Sequence, residues 1–79
     1  MTTATSLRDL SVGQRARVQA VTGPRAHRRR LLELGLVPGT PVEVVRRMPA
    51  GDVLELAARD GRLSVRLSEA DALLVEPEA

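Results

Sequence analysis

Seventy-nine residues make one small domain, and chains of this size bury only about 60% of the surface that their unfolded form exposes. All twelve cations are arginine, set against ten acids for a net charge of +2, and cysteine, phenylalanine, tyrosine and tryptophan are absent. Disulfides and thiolate metal sites are thereby excluded, and base stacking and polyproline recognition, which rely on aromatic rings, lose their usual means.

Residues 1–6, Met-Thr-Thr-Ala-Thr-Ser, are small and polar and are expected to form an N-terminal tail. No basic segment followed by an apolar run marks a signal peptide, and no stretch approaches the roughly 20 apolar residues that cross a bilayer. A cytoplasmic location is expected, with a partner as the only tie to a membrane. Leu7 and Leu10 flank Arg8-Asp9 in a short turn that ends at Gly13. Ala16, Val18, Ala20 and Val21 then alternate as a strand whose slip near Ala20 predicts a bulge or the strand's end.

Thr22-Gly23-Pro24 reads as a helix start, with Thr22 or Gly23 as cap and Pro24 in the first helical position. Helical spacing runs from Arg25 to Leu34, and Gly35 supplies a left-handed stop. At about 100° per residue, His27, Leu31 and Leu34 share one stripe while Arg25, Arg29 and Glu33 lie opposite. Leu36-Val37-Pro38-Gly39 carries a type II turn signal, with Pro38 at the second position of the turn and Gly39 at the third. Pro41 opens a strand through Val45 that Arg46-Arg47 carry outward, and Met48 to Asp52 is a loop. Val53 to Ala58 is the next strand, and Asp60-Gly61 is the strongest hairpin signal in the chain. Leu63, Val65 and Leu67 then alternate with Arg62, Ser64 and Arg66. Ser68 to Asp71 resembles a capping box around one helical turn, and Leu73-Leu74-Val75 forms a last strand before the tail 76–79. Five short strands with one inserted helix and a helical turn before the last strand predict a mainly β fold, a small closed or nearly closed barrel over 7–75.

Catalytic groups are scarce: one histidine, no cysteine, tyrosine or lysine, and carboxylates without a pairing suited to acid–base work. No enzyme activity and no cofactor are expected. His27 shares its stripe with leucines, and no second soft donor stands near it in sequence, so it reads as a boundary residue rather than a metal ligand. Asp52, Asp60 and Asp71 sit at turns or caps, where carboxylates accept backbone N–H groups.

The run Arg25-Ala26-His27-Arg28-Arg29-Arg30 stands apart. Cations in the first turns of a helix oppose its macrodipole at a few tenths of a kcal/mol each. Local stability therefore does not explain them. Arg25, Arg28, Arg29 and Leu32 are the candidate partner-binding residues, with Arg46 and Arg47 as the alternative surface. A solvated arginine-rich face is the plain alternative. A nucleic-acid-associated or metalloregulator-type role through the same arginines is also open, prompted by a pI near 11.0.

Together the signals resemble the FeoA domain family from Leu7 to Val75. The matching residues are Leu7-x-x-Leu10-x-x-Gly13, then Arg30 through Gly39, Gly51-Asp52, and Leu63-Ser64-Val65-Arg66-x-x-Glu69-Ala70. The resemblance implies an SH3-like β-barrel with an inserted helix, in a small cytoplasmic accessory protein of ferrous-iron uptake. It also implies docking on FeoB, the membrane GTPase transporter, and a family-level association with transition-metal ions. Val53 stands where the family often has proline, and Val65 where it often has leucine. The family supplies no catalytic or metal residues to carry over.

Overall fold

Alternation of arginine with small or branched apolar residues builds the first long strand. In the computed structural model, which describes residues 4–48, 50, 52–59 and 61–78, Ala16 and Val18 point into the core and Arg15 and Arg17 into solvent. The elements are β1 (Thr5–Ser6), a 3-10 turn (Leu7–Asp9), β2 (Arg15–Val21), α1 (Arg25–Glu33) and β3 (Pro41–Met48). They continue as β4 (Val53–Ala58), β5 (Gly61–Arg66), α2 (Leu67–Asp71) and β6 (Leu73–Pro77). Six antiparallel strands form one sheet in the order β1-β6-β2-β3-β4-β5.

Two expectations need correction. There are six strands rather than five, because Thr5 and Ser6, expected in the tail, pair with Val75 and Leu74. The last strand likewise extends past Val75 to Pro77. The sheet is also not a closed barrel: β1 and β5 stand at its two ends without pairing to each other. β1 is too short to complete a ladder, and α2 packs against the 3-10 turn, β4, β5 and β6. Side-chain packing, not strand hydrogen bonding, fills that side.

The slip near Ala20 is a bulge, with the register shifting between Val18 and Ala20. A second bulge lies between Val44 and Arg46, where unbroken apolar character hid it from the sequence pattern. Bulges bend a strand and increase its twist, which lets one sheet curl around one core. That core holds Leu7, Leu10, Leu31, Leu36, Val44, Leu54, Leu56, Leu73 and Val75, all essentially inaccessible. Each buried leucine stabilises by about 1.5–3 kcal/mol, which leaves no weak layer to spare in so short a chain. The hairpin between β4 and β5 closes where Ala58 faces Gly61, with Arg59 at φ 51°; Asp60 lies outside the described residues.

The helix stop forms as expected. Gly35, at φ +91°, donates its N–H to Leu32 C=O (3.0 Å), and Leu36 donates to Leu31 C=O (3.1 Å). This pair of bonds is a Schellman motif, and it packs Leu36 over Leu31 in the core. The following turn closes from Thr40 N–H to Val37 C=O at 3.0 Å. The Gly35→Ala variant should lose about 1–2 kcal/mol, the usual cost of a side chain in left-handed backbone. Urea unfolding followed by circular dichroism measures it.

Candidate functional site

Helix α1 is weakly supported at its start. Pro24 (φ −58°, ψ 145°) is the N-cap rather than the first helical residue, so the helix starts one place later than expected, and no side chain caps it. Thr22, expected as a possible cap, instead sends both its hydroxyl (2.9 Å) and its N–H (2.8 Å) to Ala72 C=O. No acid stands in the first turn to offset Arg25 and Arg28. Tertiary contacts must therefore hold the helix.

Few do. Leu31 is the one fully buried residue of α1. His27 is half-buried on the inner side, as its position on the stripe predicts. Leu34, expected on the same stripe, is instead 37% exposed, because the chain leaves helical geometry there for the glycine stop. The strongest tie is polar. Arg30 Nη1 donates to Glu69 Oε2 at 3.1 Å, and Glu69 Oε1 accepts the Arg66 N–H at 2.9 Å. Glu69 is only 5% exposed, and its two oxygens join α1, α2 and the end of β5. The expected capping box is thus half present: Glu69 reaches back, but to Arg66, and Ser68 is not the cap.

Arg30 thereby has a partner of its own, although its side chain stays half exposed beside Arg25 and Arg29. Arg25, Arg28, Arg29 and Leu32 line one shallow surface with Glu33. Within it Arg29 pairs with Glu33 at 3.0 Å, an exposed i,i+4 contact of about 0.3–0.5 kcal/mol. Among the described residues the ion pairs of α1 are this one and Arg30–Glu69, and neither uses Arg25 or Arg28. Leu32 is 43% exposed among these guanidinium groups.

Arg46 and Arg47 are engaged elsewhere. Arg46 lies 3.7 Å from Glu55, which also meets Arg62 at 3.5 Å. Arg47 Nη2 donates to the carbonyls of Arg8 (2.9 Å) and Leu10 (3.1 Å), and so fastens the 3-10 turn to β3. Among the described residues no group of three or more histidine, cysteine or carboxylate side chains stands together. Among the described residues the donor set therefore offers no three-ligand site for a resident metal ion.

A small curled antiparallel sheet with an inserted helix is an SH3-like architecture. Comparison with known proteins gives the family: the FeoA domain matches residues 5–77, and the chain belongs to the FeoA family, linked to ferrous iron transport. It is similar to the FeoA protein of Chlorobium tepidum, with 39% identity and a TM-score of 0.86 over 95% of this chain and 71% of that one. The FeoA-like protein of Clostridium acetobutylicum shares 30% identity at TM-score 0.90, over 100% of this chain and 92% of that one. FeoA of Stenotrophomonas maltophilia, solved with zinc, is 33% identical at TM-score 0.79, over 91% of this chain and 89% of that one. It is described as a prokaryotic SH3 domain protein and a candidate ferrous iron transport activating factor. A manganese-dependent transcriptional repressor superimposes at TM-score 0.89 with 15% identity over 99% of this chain and 44% of that one, which shows a shared fold alone.

Sequence reasoning missed the role of Glu69, because its partner Arg30 stands 39 residues away and both residue types are ordinary at helix ends. Arg30→Ala should lose about 1–3 kcal/mol, since it strips a charge-assisted partner from a buried carboxylate. Arg29→Ala on the exposed face should lose less than about 0.5 kcal/mol. Paired denaturant titrations of the two variants read the difference.

Proposed function

We propose that this protein is a non-enzymatic accessory of bacterial ferrous-iron uptake that acts by docking on FeoB, the membrane GTPase transporter, from the cytosolic side. Family membership supports the iron system. The observation that carries the docking surface is the outward face of α1, where Arg25 and Arg28 pair with no acid in the helix and surround an exposed Leu32. A helix that opposes its own dipole with these cations gains nothing from them locally, so their value lies in contact with an acidic surface. Leu32 would supply the apolar centre of that contact and the arginines its rim.

Within this reading Arg46 and Arg47 are secondary. Their guanidinium groups already serve Glu55 and the 3-10 turn, and withdrawing them would cost the sheet its ties. Iron is the cargo of the transport system and not a resident of this chain.

The direct test is co-migration of the full chain with the transporter's cytosolic GTPase region in each nucleotide state. Absence of binding in every state would remove the proposal. Given binding, Arg25→Glu combined with Arg28→Glu should weaken it at least about tenfold, equivalent to about 1.4 kcal/mol. The melting temperature should not fall below that of the parent, since acids in the first turn favour the helix dipole that these arginines oppose. If the arginine face instead served nucleic acid, retention on duplex DNA would persist at physiological salt and fall steeply as salt rises.

A further inference from the structure

β5 ends the sheet. It pairs with β4 alone, so half of its backbone hydrogen-bonding groups face away from the ladder. Which half follows from one bond. Leu67 N–H donates to Asp52 C=O at 2.8 Å, and the β4–β5 register continues without a shift from Val53↔Arg66 to Ala58↔Gly61. Antiparallel pairs alternate, so Val65, Leu63 and Gly61 exchange bonds with β4 while Arg66, Ser64 and Arg62 turn theirs outward. The Arg66 N–H is already taken by Glu69 Oε1 at 2.9 Å. The open stretch is therefore short and defined: the N–H and C=O of Arg62 and of Ser64, both residues exposed.

We propose that this edge accepts an extended acidic segment of a partner protein as an added strand, with Glu69 setting where the pairing stops. Side chains at Arg62, Ser64 and Arg66 share the solvent face of β5. Arg62 already bridges to Glu55, whereas Arg66 makes no ion pair among the described residues. An acid on the added strand opposite Arg66 would complete it, and neighbouring apolar positions would extend the half-buried face around Leu63. A second copy of this chain is a poorer occupant. With a twofold axis through Ser64, Arg62 of one copy lies opposite Arg66 of the other; with the axis through Leu63, the two Arg62 side chains become diagonal neighbours. Like charges across a ladder destabilise it. This surface is separate from the arginine face of α1, so it stands or falls independently of the docking described there.

The probe is a short peptide of alternating valine and glutamate, with a valine–lysine peptide as control, added to the isotope-labelled full chain. Amide exchange at Arg62 and Ser64 should slow at least about tenfold with the glutamate peptide, and stay unchanged with the lysine peptide. Ser64→Pro removes an outward N–H that the β4 ladder does not use, a placement proline tolerates on an edge strand. It should abolish the protection while the melting temperature stays near that of the parent. Arg66→Gln, which leaves the backbone intact, should weaken glutamate-peptide binding severalfold. Equal binding by Ser64→Pro, or perturbation confined to α1, overturns the proposal. So does slowed exchange at Ser64 on raising protein concentration alone, which would name a second copy as the occupant.

Discussion

The buried carboxylate of Glu69 organises this molecule. A carboxylate removed from water is tolerated only when its lone pairs are met, and here one oxygen takes an arginine and the other a backbone N–H. Those two bonds tie α1 to α2 and to the end of β5, and α1 has few other ties to the sheet. Helix α1 meets the sheet chiefly through Leu31, α2 has five residues, and β5 is an end strand. Without the carboxylate, α1 would keep its glycine stop and the buried Leu31 but lose its polar tie, and the outward Arg66 N–H would lose its acceptor.

Separating Arg30 from its neighbours gives the arginine run its meaning. Four arginines within six residues look alike in sequence, yet one binds a buried acid while staying half exposed, one pairs along the helix, and two have no acid partner among the described residues. Arg47 makes the same point on β3, where an exposed charged residue serves as a tether for backbone carbonyls. A side chain with five donors on a planar fork satisfies several acceptors at once, which lets it replace packing that a chain without aromatic residues lacks. The cost of having no aromatic core is met partly by guanidinium groups at the margins.

Much of the architecture was legible. The strands around Val18, Leu54 and Val65, the helix from Arg25, its stop at Gly35 and the turn ending at Thr40 all follow from period, proline and glycine. The bulge near Ala20 showed as a broken alternation. The second bulge did not, because Val44-Val45 are both apolar and conceal the change of phase. The cap was misplaced because Thr22 had a distant carbonyl to bond, an option that local rules do not contain. β1 was hidden for a related reason: Thr5-Ser6 carry no hydrophobic pattern and become a strand only because β6 offers them an edge.

By itself, the sequence determined the class of molecule: one small β-rich domain without thiols, aromatic rings or paired catalytic groups, in the pattern of the FeoA family. Local sterics and periodicity suffice for that, since each turn and strand is decided within a few residues. Tertiary structure alone decided that the sheet stays open between β1 and β5, that Arg30 reaches the buried Glu69, and that Arg25 and Arg28 find no acid partner among the described residues. Those outcomes depend on groups brought together from distant parts of the chain, where the balance of desolvation against hydrogen bonding is set by neighbours that no short stretch of sequence specifies.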